Sequence, residues 1–154
     1  MPFRIAAAIF FLLTLTNLAG AAEPAIDVRL ARQYFDEARA LAGKDAGKLW
    51  GQSLAGPLLF ADRKTRQVVA NERDTEGVLQ PDGHIFLGRL PDRQSIANTG
   101  MNWAGVRWTM VIWPPPQDAT ERGILLMHES WHRIQDRLEP VMHFGVPVDR
   151  AAAR

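Results

Sequence analysis

The sequence predicts an α+β fold: an N-terminal amphipathic helix, a run of strands forming an antiparallel or mixed sheet, and a second helix packed on that sheet. Three observations carry the prediction. Apolar residues recur at three- and four-residue spacing in two separate stretches, 26–42 and 123–139. Between them lie short apolar runs punctuated by Gly, Pro and Asp. Finally, 47% hydrophobic and 23% charged residues over 154 positions is the composition of one ordinary globular domain, not of a disordered or fibrous chain.

Residues 1–22 read as a secretory signal peptide rather than as part of the fold. Arg4 is followed by an apolar stretch from Ile5 to about Leu15, and Ala19, Gly20, Ala21 and Ala22 precede the first acid, Glu23. Cleavage is expected after Ala21 or Ala22. The strongly apolar part is shorter than the ~20 residues that span a bilayer, and the uncharged stretch from Ile5 to Ala22 includes Thr14, Thr16 and Asn17. The expected product is a periplasmic or secreted domain, residues 23–154, with no stable membrane span. The whole chain carries 18 Lys and Arg against 17 Asp and Glu. Loss of Arg4 leaves it neutral, without the basic excess that nucleic-acid binding requires. With no cysteine, chemistry must come from His, carboxylates, hydroxyls or a metal held by nitrogen and oxygen.

The elements follow in order. Leu30, Ala31, Tyr34, Phe35, Ala38, Leu41 and Ala42 form one helical stripe, which predicts a helix over 26–42 ending at Gly43. Leu58 to Ala61 and Val68 to Ala70 predict a hairpin around a polar loop, in which Arg63, Lys64 and Arg66 read as a solvated basic cluster. Pro81, Asp82 and Gly83 signal a turn before a strand from Ile85 to Leu90, and His84 between them reads as a surface residue. In Arg107 to Trp113 both alternating faces are apolar, as in an interior strand, and Pro114, Pro115 and Pro116 end it. Asp118 and Glu121 then make a capping-box pattern for a helix that Pro140 stops. Its expected core stripe is Ile124, Met127, Trp131, Ile134 and Leu138.

Within that helix lies His128-Glu129-Ser130-Trp131-His132, an HExxH pattern. At ~100° per residue the two histidines stand about 40° apart and one turn separated, so both imidazoles can meet one metal ion. Glu129 stands about 60° beyond His132, where its carboxylate can hold a water beside that ion without ligating it. Two solvated or core-edge histidines would give the same pattern with no metal.

The stretch from Val106 to Leu138 resembles the zincin metallopeptidases, in which a helix carrying HExxH packs under a sheet whose edge strand aligns the substrate. The resemblance implies that His128 and His132 bind zinc and that Glu129 is the general base of peptide hydrolysis, taking a proton from water and passing it to the leaving amine. It also calls for a third protein ligand. The metzincin extension is absent, because Gln135 and Leu138 stand where its Gly and His would be. The gluzincin branch takes a Glu from a second helix, and after His132 the only Glu is Glu139, beside Pro140.

The remaining candidates are Asp136, His143 and Asp149. Asp136 lies one turn beyond His132, but three groups along two turns of a straight helix hardly meet one ion. A role behind the ligands, accepting from a ring N–H, or as a plain surface acid is the better reading. His143 can fold back to the metal, stabilise an oxyanion or be an ordinary loop histidine. The resemblance thus leads us to expect a gluzincin-like domain shortened at its C-terminus.

Three functions stand against one another. The first is an exported zinc-dependent hydrolase acting on a peptide or protein. The second is a non-catalytic binding or structural domain, including an inactive remnant of such an enzyme, and the third an exported metal-binding protein without chemistry. Trp103, Trp108 and Trp113 are candidates to line a cleft, although sheet-face packing is the better reading of their spacing. A P-loop, a dinucleotide fingerprint and a G-x-S-x-G elbow are all missing.

Overall fold

The computed structural model describes residues 25–138. The expected leader, Glu139, His143 and Asp149 lie outside that range.

Asp27 opens the first helix, α1 (Val28–Asp45), by accepting the Leu30 amide at 3.0 Å. The helix runs past Gly43, contrary to the expected stop. It ends where Ala46 turns left-handed (φ 49°) and returns its N–H to the Ala42 carbonyl, while the Asp45 carboxylate accepts from Gly47 and Leu49. A glycine in the last turn was the obvious sequence signal for a stop, but the side-chain acceptor two residues later decides the boundary.

Six strands follow: β1 (Leu58–Asp62), β2 (Gln67–Ala70), β3 (Gln80–Asp82), β4 (Ile85–Arg89), β5 (Thr99–Trp103) and β6 (Val106–Trp113). They form one mixed sheet in the order β3-β4-β2-β1-β6-β5. β1 and β6 are parallel, with Phe60 opposite Val111, and every other neighbouring pair is antiparallel. The β1–β2 hairpin closes through Asp62, whose carboxylate accepts the Lys64 and Thr65 amides. The segment expected to be only a turn before β4 also contributes β3, a short edge strand where Pro81 is tolerated. β5 and β6 are joined by Ala104 and Gly105, both at positive φ (48° and 73°), the conformation a two-residue hairpin favours.

The expected interior strand is β6, which pairs on both sides. Its alternation sorts the core into two layers. Val111 and Trp113 join Phe60, Val69 and Ile85 against Tyr34 and Phe35 of α1 and Leu126 of the second helix. Trp108 and Met110 join Leu59, Val68 and Ala70 on the opposite face, closed by Leu79, Leu90 and Ile96 from the connecting segments. Trp103 packs at the margin of that second layer. All three tryptophans are therefore sheet-packing residues. Arg66 is not solvated as expected: its guanidinium turns back to donate to the carbonyls of Leu90, Pro91 and Gln94.

The second helix, α2 (Ala119–Leu138), starts where Asp118 accepts the Thr120 and Glu121 amides, each at 2.9 Å. It lies over β5 and β6 and beside α1. Its buried side differs from the expected stripe. Ile124 is 67% exposed, Met127 and Trp131 are half-buried, and the core side is Gly123, Leu126, Ser130, Ile134 and Leu138 together with Arg122, Glu129 and Arg133. The two arginines are buried with backbone carbonyls accepting from their guanidinium groups, although the Arg133 Nε has no partner. Arg133 donates to the Leu54 and Ala55 carbonyls, and Arg122 to the Pro116 and Gln117 carbonyls and to Glu37 at 2.8 Å. No helix among the described residues is long and apolar enough to cross a membrane.

Candidate metal centre

The placement of α2 sets the site. Gly100 on β5 lies directly beneath the second histidine of the HExxH pattern. A Cβ there would stand 2.7 Å from the His132 carbonyl oxygen and 2.8 Å from the Arg133 nitrogen. The missing side chain lets the helix backbone at His132 and Arg133 rest on β5, the outermost strand.

His128 is exposed and His132 half-buried, and their Nε2 atoms face one another 3.1 Å apart with the rings nearly perpendicular at 86°. Two imidazole nitrogens bound to one tetrahedral zinc at ~2.0–2.1 Å would lie about 3.3 Å apart, so the pair already has nearly the spacing of two ligands of one ion. The His132 Nδ1 is 2.9 Å from Gln135 Oε1. Glu129, next in the chain to His128, is 4% exposed, and its Oε2 is buried without a hydrogen-bond partner. Burial pushes its carboxyl above the usual glutamate range, with the charges of His128 and His132 pulling the other way.

Asp136 points to a different partner. Its carboxylate pairs with Arg107 of β6 at 2.9 Å, and the same guanidinium reaches the His132 carbonyl oxygen at 3.5 Å. That pairing places it behind the helix backbone, away from the two Nε2 atoms. His84 stands exposed on the β3–β4 turn, at the opposite edge of the sheet from β5. Among the described residues, no group of three or more His, Asp or Glu side chains is placed to hold a metal ion. The described site is thus two facing nitrogens and one buried carboxylate whose Oε2 has no hydrogen-bond partner.

Several contributors were not legible beforehand. Gln135 attracted notice only as a departure from the metzincin pattern, although its i+3 spacing from His132 was a usable signal. Arg107 and Gly100 come from strands: Gly100 reads in the sequence as a punctuator of the strand-rich stretch from Asn98 to Trp113, and nothing local marks Arg107. The aromatic neighbour of the pair is not the 103/108/113 series but Trp131, whose ring centroid is 5.1 Å from that of His132 and 5.8 Å from that of Trp50.

The chain matches no protein-family model, and neither the curated proteins nor the solved structures compared with it give a match.

Proposed function

We propose that the chain is an exported zinc-dependent hydrolase, a metallopeptidase, with His128 and His132 as zinc ligands and Glu129 as general base. The observation that carries the reading is the combination of two Nε2 atoms 3.1 Å apart with a buried carboxylate beside them that has one oxygen unpartnered. Paired nitrogens of this kind are the donors zinc prefers, and a carboxylate held next to them without being neutralised by an arginine is free to move protons. Zinc bound there supplies a Lewis acid for a carbonyl oxygen and makes water a nucleophile near neutral pH. In this reading Glu129 orients the attacking water, takes its proton and returns it to the departing amine. Its burial keeps it a strong enough base to accept that proton and a good enough acid to give it back. β5, the outermost strand, offers an extended peptide an edge to pair with, and its Gly100 packs against the His132 backbone.

The decisive experiment is zinc stoichiometry of the purified protein beside hydrolysis of an unstructured protein substrate. About one zinc per chain is expected, lost in both His128→Ala and His132→Ala. Glu129→Gln should keep the zinc and lose hydrolysis. Undiminished hydrolysis in Glu129→Gln would remove the general base assigned here, and a protein with no zinc after addition of a modest excess would overturn the reading entirely.

A second reading has its own support, since the described residues bring together two side-chain ligands rather than three. An exported metal-binding protein without chemistry would bind zinc through the same histidines and cut nothing, so the same pair of measurements separates it from the first.

A further inference from the structure

The two histidines of the pair are not equivalent, and the difference lies on the far side of one ring. His132 Nδ1 is 2.9 Å from the carboxamide oxygen of Gln135, one turn along the helix. A carboxamide oxygen only accepts, so the proton of a neutral His132 sits on Nδ1 and its Nε2 carries a lone pair. That Nε2 faces the Nε2 of His128 at 3.1 Å, so His128 is the donor between them and carries its proton on Nε2. We propose that Gln135 is a positioning residue: it holds His132 in the Nδ1–H tautomer, which turns the Nε2 lone pair toward the point that His128 also faces.

Without that acceptor, His132 would be drawn to the Nε2–H form that free imidazole favours, and it would then present a proton to any cation. The ring nitrogen that carries hydrogen is set by the bond the other nitrogen makes. The nearby carboxylate does not compete for the role, because Asp136 is paired with Arg107 at 2.9 Å. The acceptor behind His132 is therefore neutral, which makes the imidazole a weaker donor to a metal than one backed by a carboxylate. His132 is ready as a ligand before any metal arrives, whereas His128 must move its Nε2 proton to Nδ1 to become one.

The tautomer assignment stands on the metal-free protein; only its consequence for zinc rests on the function proposed above. The test is two-bond ¹⁵N–¹H correlation on the labelled, metal-free full chain at about pH 8, above the ordinary imidazole range. His132 should appear as Nδ1–H and His128 as Nε2–H. In Gln135→Leu, His132 should revert to Nε2–H, while Gln135→Glu, whose carboxylate also accepts, should retain Nδ1–H. Titration with zinc alone against a chromogenic chelator should show affinity about 10- to 100-fold weaker in Gln135→Leu and restored in Gln135→Glu. Finding His132 as Nε2–H in the parent protein, or the same tautomer in Gln135→Leu, would overturn the assignment. The expected tautomers in a protein that takes up no zinc would uphold Gln135 as the positioning residue and sink the metallopeptidase reading instead.

Discussion

At the scale of single residues, the fold is held at several points by polar side chains that reach backbone groups otherwise left unsatisfied. Asp74 is the plainest case. It is buried in the segment between β2 and β3, and its carboxylate accepts the amides of Glu76 and Val78 at 2.9 Å and of Leu79 at 2.7 Å. Burial pushes its carboxyl upward, but the backbone bonds from Leu79, Val78 and Glu76 outweigh that, and the net shift is below the usual aspartate value. A carboxylate with a lowered folded value contributes stability above the ordinary aspartate range and loses it as the pH falls through the folded value. Asp74→Asn offers one acceptor oxygen where three amides converge, so it should destabilise by about 1–3 kcal/mol at pH 7. Urea unfolding at pH 7 and at acid pH should show that gap closing as Asp74 itself becomes protonated. A gap that stays constant with pH would mean the ionised carboxylate is not what holds Leu79 against the second core layer.

At the scale of elements, α2 shows what was legible and what was not. Its existence, its start at Asp118 and the facing of His128 and His132 were readable, because caps and i, i+4 geometry are local. Its buried side was misjudged, because hydropathy alone ranks Ile124 above Arg133. Arg133 is buried by carbonyls 78 and 79 residues away in sequence, and no local pattern announces them. Glu129, singled out for chemistry, is likewise buried with no local hydropathy pattern to announce it. Two glycines give a test that isolates the packing. Gly100 is where α2 touches β5, and a methyl group there meets helix backbone at 2.7 Å, which cannot yield as a flexible side chain would. Gly100→Ala should cost about 1–3 kcal/mol and weaken zinc uptake by displacing His132. Gly43, in the last turn of α1, has nothing within 4 Å of the added methyl. Gly43→Ala should stabilise by about 0.5–1 kcal/mol through helix propensity and leave zinc uptake unchanged. Thermal or urea unfolding of the two variants decides both signs, and a neutral Gly100→Ala would show that the helix does not rest on the strand as described.

At the scale of the whole molecule, the two helices come from opposite ends of the described chain yet share one face of the sheet. The ion pair between Arg122 and Glu37 at 2.8 Å joins α2 to α1, and Arg133 joins α2 to the segment before β1. Releasing α2 would therefore expose the layer of Phe60, Val111 and Trp113 and free α1 as well. Anything that tightens α2 against the sheet should stabilise the entire fold in a single transition, and zinc held by the two histidines proposed as ligands on α2 would be such a tightening. Zinc at about one hundred times its dissociation constant would add about 2.7 kcal/mol, which for a domain of this size raises the melting midpoint by about 10 °C. The chelated protein should melt lower by that amount in one cooperative step, and the His128→Ala, His132→Ala double variant should melt at the chelated midpoint with or without zinc. If zinc raised the midpoint of the double variant as much as that of the parent, the ion would be acting elsewhere on the molecule. If it split the parent's transition in two, α2 would be separable from the sheet, and the coupling between site and fold argued from Arg122 and Arg133 would be wrong.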